Sequence, residues 1–385
     1  IYGILREDYG LEDQVEMLLT MKRGEVDPDM QKGHRSPLVA DFFADMEVQA
    51  DIGRNQLKDV IRGKHIALVE HLLTPDRKIG KRTVSVNDHI MTVRGLLDLF
   101  RGTETLHHTL AAPYSSYIRS HSVEEYERKG FHQFDSLRMT LKDFARDGLN
   151  TILTIDPHSD KAARLAEEVG MTYHGINPFR SGRSQNPYKL GLSGRRAEKT
   201  LKELRPFQER FARLMEEHKG HVYIVAADDG TERRVENFVD RACPNMSPEQ
   251  FYALIAYLDK SRGSYNGTET AFKRFSQVNA ANIDKEGIYV IIDDMWASGG
   301  TAMKAGQIFK DGGAKRVEGW MSHAVTMTEQ YKKANIREAV DKVVCLDTVP
   351  QSPKLDIEYI NASAPLLASE LFKSHEKLVY ERLVA

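Results

Sequence analysis

The sequence Val290-Ile-Ile-Asp-Asp-Met-Trp-Ala-Ser-Gly-Gly-Thr301 decides the fold of this chain. The apolar run Ile288–Ile292 predicts a buried strand that ends at two adjacent carboxylates, Asp293 and Asp294. The small residues of 298–301 follow, and the next segment has the periodicity of a helix. A loop of small residues between a strand and a helix N-terminus is typical of phosphate binding, because its amides and hydroxyls point at one anion.

Four loop residues are therefore candidate phosphate ligands: Ser298, Gly299, Gly300 and Thr301. The two preceding carboxylates suit sugar hydroxyls or a divalent cation, and a ribose that carries a 5-phosphate fits the combination. The loop is not a nucleotide-binding P-loop, because the required Gly-Lys-Ser/Thr sequence is missing. The competing interpretation is an ordinary strand–turn–helix corner.

Composition limits the class of protein. The 385 residues allow two domains, and 41% hydrophobic with 29% charged residues is typical of a soluble globular protein. The net charge of −2 gives no sign of nucleic-acid or membrane binding, and no apolar stretch predicts a membrane span or a signal peptide. The two cysteines, Cys243 and Cys345, lack the spacing of a metal site. We expect them to be reduced, which favours a cytoplasmic location.

Three apolar runs each end in an acid, at 150–156, 221–228 and 288–293. Such runs alternate with helical segments, which predicts an α/β fold with mainly parallel sheets. Ligands of these sheets bind beyond the carboxyl ends of the strands. We therefore expect Asp156, Asp228 and Asp293 to share one functional rim.

The phosphate loop resembles the phosphoribosyl-pyrophosphate (PRPP) motif of the type I phosphoribosyltransferase fold. Short motifs from about Phe43 to the C-terminus resemble the ribose-phosphate pyrophosphokinase (PRPP synthetase) family. The resemblance implies two similar Rossmann-like domains with the active site between them. We place the N-terminal domain at 1–172, with a C-terminal helix at about 373–385 packing back on it, and the second domain at 173–372.

Two segments resemble the family's metal-binding motifs. Asp156-Pro-His158 is similar to the family's Asp-Leu-His, whose histidine contacts the metal and the nucleotide phosphates. Asp228, in Val225–Gly230, matches the acid of the family's Ser-Pro-Asp-x-Gly, which helps to hold magnesium. The resemblance thus implies Mg²⁺ as cofactor and ATP as co-substrate, with His158 and Asp228 as metal ligands.

Tyr257-Leu-Asp-Lys-Ser-Arg262 resembles the segment that leads into the family's mobile catalytic loop. Pyrophosphoryl transfer concentrates negative charge at the β-phosphorus, and cations on a closing loop stabilise that charge. The resemblance therefore assigns catalytic roles to Lys260 and Arg262.

Further motifs concern the nucleotide. Phe43-Ala-Asp-Met-Glu47 resembles a family loop that reaches the adenine across a dimer interface, which makes Phe43, Asp45 and Glu47 candidate ATP ligands. Pro113–Arg119 resembles a segment whose arginine, here Arg119, faces the nucleotide phosphates. Val86–Met91 resembles the start of a helix in the same family. The shared adenine pocket implies a homo-oligomer, either a dimer or a hexamer.

The chain also departs from the family. Ala297 stands where many members have an acid, and the bulky Trp296 precedes it. The segment 178–220 looks inserted and is basic, with 11 Lys/Arg against 5 Asp/Glu. We expect it to be a solvated surface element; the alternatives are an anion-binding lid or an oligomer contact.

The activity implied by the resemblance is Mg²⁺-dependent transfer of pyrophosphate from ATP to the anomeric hydroxyl of ribose 5-phosphate, which yields PRPP and AMP. A larger acceptor such as ADP-ribose is an alternative, because Trp296 offers a stacking surface and the insert offers cations. A phosphoribosyltransferase that uses PRPP and a non-catalytic regulatory homologue are further alternatives.

Overall fold

The structure, a computed structural model, describes residues 20–21, 38–42, 48–51, 61–79, 81–119, 127–128, 130–132, 134–180, 202–262, 268–273, 276–333, 335–350 and 355–384. The chain divides into two compact units. Unit 1 comprises Ile1–Ile176 and Ala364–Ala385, and unit 2 comprises Asn177–Ser363. The boundary expected at Thr172 falls on the first residue of a strand that stays with unit 1.

The described residues of unit 1 form short strands and three helices besides the C-terminal one. Its strands are β1 (Thr20–Met21), β2 (Leu38–Phe42), β3 (Val48–Asp51), β4 (His65–Val69), β5 (Lys78–Ile79), β6 (Arg82–Thr83), β7 (His107–Ala112), β8 (Thr151–Ile155) and β9 (Thr172–Ile176). Its helices are α1 (Val86–Phe100), α2 (Ser136–Arg146) and α3 (Lys161–Glu168). The main sheet is parallel, in the order β4-β7-β8-β9, and β1-β2-β3 and β5-β6 form two smaller sheets.

Helix α1 begins where the sequence predicts a helix start. Ser85 caps it: its hydroxyl accepts a hydrogen bond from the Asp88 amide at 3.3 Å, and the Asp88 carboxylate accepts one from the Ser85 amide at 2.7 Å. This reciprocal pair satisfies two amides that a helix N-terminus leaves unpaired. Val93 and Leu97 are fully buried on the inner face of the helix, within the core of unit 1.

Unit 2 is built around one large sheet. Its strands are β10 (Val222–Ala226), β11 (Ile255–Arg262), β12 (Thr268–Phe272), β13 (Ile288–Trp296), β14 (Arg316–Ala324), β15 (Lys342–Leu346) and β16 (Glu358–Ile360). Its helices are α4 (Pro206–Glu217), α5 (Asp229–Ala242), α6 (Pro248–Leu254), α7 (Gly300–Asp311), α8 (Thr328–Lys333) and the 3-10 helix Ile336–Glu338. The last helix, α9 (Ser363–Val384), belongs to unit 1 from Ala364 onward.

The strands of this sheet lie in the order β12-β11-β10-β13-β14-β15-β16. Every neighbouring pair is parallel except β11 and β12, which are antiparallel. The first five residues of β13, Ile288–Ile292, are fully buried. A strand buried on both faces is characteristic of a parallel sheet covered by helices, so the predicted α/β fold with mainly parallel sheets is confirmed.

The expectation of one rim for three acids is wrong. Asp228 and Asp293 do belong to neighbouring strands of unit 2, since β10 pairs with β13 in the register Val225↔Ile291. Asp156 instead follows β8, which belongs to the sheet of unit 1. An acid follows each apolar run of the sequence, but the runs are divided between two sheets. Only pairing between distant segments determines which strands are neighbours.

The basic segment 178–220 is described at 178–180 and 202–220, and that part packs one face on the sheet while its other face is exposed. Helix α4 buries Phe207, which stacks on Phe179 at 4.2 Å between ring centroids and on Trp320 of β14 at 5.9 Å. Arg210 bonds to Glu358 at 2.5 Å. The described part of this segment therefore packs on the sheet of unit 2.

Candidate functional site

The candidate phosphate loop joins β13 to α7. Strand β13 continues past the acids to Trp296, which pairs with Ala324 of β14. Asp293 and Asp294 thus lie inside the strand, whereas the sequence analysis predicted that the strand ends where they begin. The connecting turn is only 297–299, because helix α7 begins at Gly300 and includes Thr301 in its first turn. The predicted strand–loop–helix arrangement is confirmed with these shifted boundaries.

Gly299 gives the loop its shape. It has a φ of 75°, in the left-handed region that favours glycine, and a Cβ at this position would lie only 2.4 Å from Cζ2 of Trp296. It occupies the N-cap position of α7 without any side-chain capping bond. The Ser298 hydroxyl lies 3.5 Å from the Gly300 amide. Hydroxyls and main-chain amides therefore gather at the N-terminus of a twelve-residue helix, which suits an anion.

The two carboxylates of β13 are electrostatically coupled. Asp294 is buried, and its amide donates to an Asp293 carboxylate oxygen at 2.9 Å. Burial raises the pKa of the Asp293 carboxyl, and the adjacent Asp294 charge raises it further. A cation, or sugar hydroxyls that donate hydrogen bonds, would relieve this repulsion, so the pair is suited to the ligands predicted for it.

We expect the free energy of unfolding to depend on pH because of this raised pKa. A carboxyl with a raised pKa in the folded state keeps a proton that the unfolded chain has lost. The free energy of unfolding should therefore fall as pH rises above about 4, the usual carboxyl value, until Asp293 is ionised in the folded state. Asp293→Asn removes this titration, so its stability relative to the unmodified protein should increase with pH, by at most about 1.4 kcal/mol per unit. Urea unfolding at several pH values measures this, and a pH-independent difference would contradict it.

Asp228 lies at the end of the neighbouring strand β10. Its carboxylate accepts a hydrogen bond from the Thr231 amide at 3.1 Å, and the Thr231 hydroxyl lies 3.1 Å from the Asp228 amide. These two bonds form a capping box at the start of α5. Asp228 therefore has a structural role in this conformation, and its role as a metal ligand stays a prediction.

The predicted catalytic cations lie in a strand rather than in a loop. Both Lys260 and Arg262 belong to β11, whose last residue paired with β10 is Tyr257. Lys260 pairs instead with Thr270 of β12. The β11–β12 arm thus extends beyond the carboxyl edge of β10, and three residues of strand place Lys260 about 10 Å past that edge. The arm's tip, 263–267, lies outside the described residues.

Lys273 fixes the base of this arm, a role that the sequence analysis missed. It follows β12 and forms ion pairs with Asp229 and, at 2.6 Å, with Glu232, both in the first turn of α5. These two partners raise the pKa of the Lys273 ammonium. On the other strand, the Tyr257 hydroxyl donates to Glu236 of α5 at 3.1 Å. One helix therefore holds both strands of the arm.

Loosening this anchor should slow catalysis more than it weakens binding. Lys273→Ala removes both ion pairs at the base of the arm, so we expect kcat to fall about tenfold because small misplacements of catalytic groups are costly. Lys273→Arg should recover most of the rate. The control is Lys315→Ala, which breaks an exposed ion pair with Glu286 elsewhere in unit 2. Equal effects of Lys273→Ala and Lys315→Ala on kcat would contradict the anchoring role.

The remaining predicted ligands belong to unit 1. His158 follows β8 and is half-buried, and Arg119 is exposed after β7. Asp156, which precedes His158, is buried with a positive φ of 42°, and its amide donates to the Ile176 carbonyl at 2.7 Å. His158 and Asp228 are thus attached to different sheets. The adenine candidates Phe43, Asp45 and Glu47 lie outside the described residues.

Trp296 does not offer the stacking surface that the sequence suggested. Its side chain is 1% exposed and belongs to the hydrophobic core of unit 2. Arg210, one of the cations of the inserted segment, bonds to Glu318 and Glu358 within the unit. Trp296 and one of the cations that favoured a larger acceptor such as ADP-ribose are therefore engaged in packing and in internal ion pairs.

The described residues contain no group of three or more acidic, histidine or cysteine side chains arranged to hold a metal ion. Mg²⁺ does not require such a group, because it keeps several water ligands and binds through one or two carboxylates together with substrate phosphates. The carboxylates of Asp228, just beyond β10, and of Asp293 and Asp294, within β13, are ligands of this kind. Across the described part of the chain, none of the helices combines the length and apolar character needed to cross a membrane.

Comparison with known proteins supports the family resemblance. No family model matches the chain. Curated relatives named ribose-phosphate pyrophosphokinase include one from Ralstonia nicotianae, 25% identical over 80% of this chain and 76% of the relative. Another, from Prochlorococcus marinus, is 22% identical over 89% of this chain and 84% of the relative. The expected relationship to these enzymes is thus confirmed, at low identity and high coverage.

A solved structure shows the same fold. The crystal structure of phosphoribosylpyrophosphate synthetase from Mycobacterium smegmatis superposes on the chain with a TM-score of 0.65. The superposition covers 94% of this chain and all of the other, at 15% sequence identity. This likeness supports the two-unit α/β architecture independently of the sequence motifs.

Proposed function

We propose, from this relationship to the ribose-phosphate pyrophosphokinases, that the protein transfers pyrophosphate from ATP to the anomeric hydroxyl of ribose 5-phosphate. The products are PRPP and AMP. The observation that carries the proposal is the β13–α7 connection, in which a carboxylate pair precedes a left-handed Gly299 and a helix N-terminus. A sugar that has both a phosphate group and two adjacent hydroxyls matches these features, with the phosphate at the helix N-terminus and the hydroxyls at the carboxylates.

In the proposed complex, the loop binds the 5-phosphate. Ser298 and Thr301 supply hydroxyls, and the main chain at Gly299 and Gly300 leaves room for close approach of the phosphate oxygens. Asp293 and Asp294 accept hydrogen bonds from the ribose hydroxyls. These contacts orient the sugar so that its anomeric oxygen is positioned for attack.

The transfer forms a bond between the anomeric oxygen and the β-phosphorus of ATP, and the hydroxyl proton is released to solvent. The bond from that phosphorus to the oxygen shared with the α-phosphate breaks, and AMP leaves with this oxygen. Lys260 and Arg262 are the proposed cations that stabilise the charge of the transferring group. Their place on an arm anchored to α5 supports this assignment, because the anchor restricts where the arm can move.

Magnesium is the proposed cofactor and, when bound, it would neutralise the charge of the triphosphate. Asp228 is the proposed ligand from unit 2. His158 and Arg119 are the proposed contacts to the nucleotide phosphates from unit 1. Phe43, Asp45 and Glu47 are proposed to bind the adenine of a neighbouring copy, which implies a dimer or hexamer.

Phosphorus NMR of the purified protein with ATP, Mg²⁺ and ribose 5-phosphate tests the reaction. We expect AMP and an anomeric diphosphate to appear together in equal amounts. Formation of ADP would indicate transfer of a single phosphoryl group, and absence of any product despite ATP binding would favour a regulatory homologue. Consumption of added PRPP only when a free base is present would instead identify a phosphoribosyltransferase.

A further inference from the structure

The side chain of Trp296 lies beneath the phosphate loop. A Cβ on Gly299 would lie 2.4 Å from Cζ2 and 3.1 Å from Nε1 of the indole. On the opposite side, a Cβ on Gly319 of β14 would lie 3.1 Å from Cζ3. The two glycines therefore leave the space that the ring fills, and the nitrogen-bearing edge of the ring is next to the turn that precedes α7.

The indole nitrogen of Trp296 is buried, and the described residues provide no hydrogen-bond acceptor for it. In contrast, the indole of Trp320, also buried, donates to a Glu318 carboxylate oxygen at 2.8 Å. A buried donor that has no acceptor is destabilising, so its retention calls for an explanation.

Two carbonyls at the ends of the loop already accept hydrogen bonds from main-chain amides. The Gly299 carbonyl accepts from the Met303 amide at 2.8 Å, and the Trp296 carbonyl accepts from the Val325 amide at 2.9 Å. The other groups that the loop presents, at Ser298 and at the start of α7, include hydroxyls and amides suited to donate to an anion. A ligand oxygen is therefore the acceptor that the surroundings of the indole lack.

We propose that Trp296 is a phosphate-binding residue, whose indole N–H donates to an oxygen of the bound phosphate monoester. The nitrogen is covered in this conformation, so binding must move the 297–299 turn aside. Gly299 suits such a movement because it has no side chain and is held over the ring at a left-handed φ. The identification of the monoester as ribose 5-phosphate rests on the proposed function, whereas the hydrogen bond to phosphate does not.

The chain has only two tryptophans, which makes the test direct. In protein labelled with ¹⁵N-tryptophan, a proton–nitrogen spectrum contains two indole signals, and Trp320→Phe assigns them. Inorganic phosphate and ribose 5-phosphate are then titrated separately. We expect the Trp296 signal to move and its hydrogen exchange to change on binding, while the Trp320 signal stays in place.

The matched variants are Trp296→Phe, which keeps an aromatic ring under Gly299 but removes the donor, and Trp320→Phe. Trp296→Phe should weaken ribose 5-phosphate binding about tenfold, as expected for loss of a hydrogen bond to a charged group. Trp320→Phe should leave it unchanged. The titration itself uses the unmodified protein. A variant is needed only to assign the two indole signals.

A stationary Trp296 signal at phosphate saturation would overturn the proposal, as would equal movement of both signals. The proposed reaction can fail separately: if phosphate moves the Trp296 signal but ATP and ribose 5-phosphate give no AMP, the donor role stands and the activity does not. If AMP forms while the signal stays in place, the activity stands and Trp296 is only a packing residue.

Discussion

Replacement of Lys260 by alanine is expected to lower kcat by about 10²–10³-fold while ATP affinity changes little. The proposed transfer concentrates negative charge around the β-phosphorus, and a cation that acts mainly in the transition state contributes to kcat rather than to ground-state binding. The position of Lys260 on the β11–β12 arm, beyond the last residue of β11 paired with β10, supports such a role.

Steady-state kinetics and calorimetric titration with ATP together measure this effect. Lys285→Ala is a suitable control, because Lys285 is an exposed cation of the same unit and lies in the turn before β13. It should leave kcat unchanged. A loss confined to KM in Lys260→Ala would mean that Lys260 only binds substrate, and the transition-state role would be abandoned.

Gly299→Ala should disable the phosphate loop and destabilise unit 2. Alanine at a φ of 75° costs about 1–2 kcal/mol, and the new methyl group would lie 2.4 Å from the buried ring of Trp296, which adds about 1–3 kcal/mol of overpacking. If the N-terminus of α7 shifts to relieve this clash, its amides lose the alignment that suits an anion. We expect kcat/KM for ribose 5-phosphate to fall about 10²-fold or more.

The neighbouring glycine provides the matched control. A Cβ on Gly300 would meet only the Ser298 hydroxyl, at 3.7 Å, which is an ordinary contact. Gly300→Ala should therefore retain most of the stability, as measured by urea unfolding. Equal destabilisation by both substitutions would show that loss of glycine flexibility, rather than the contact with Trp296, determines the effect.

Much of the fold could be predicted because its signals are local. The run Ile288–Ile292 predicts a buried strand, and all of its residues are fully buried in the sheet of unit 2. Asp311-Gly-Gly313 predicts a helix end, and α7 ends at Asp311, with Gly313 at a positive φ of 83°. Buried strands and left-handed glycines leave such signatures in short stretches of sequence.

The site could be predicted only in part, since its arrangement depends on contacts between distant residues. Nothing near Lys273 in the sequence indicates that it pairs with Asp229, 44 positions earlier. The β11–β12 pairing turned the expected catalytic loop into a strand at Lys260, and β13 extended past the acids because β14 pairs with it as far as Ala324.

The sequence by itself determined the strand–loop–helix unit and the carboxylate pair, because these follow from local hydrophobic periodicity and residue type. Only the tertiary structure decided which acids share a sheet and that Trp296 lies under its own loop. Strand order and side-chain packing depend on which distant segments meet, and a single sequence does not contain that information in any short stretch.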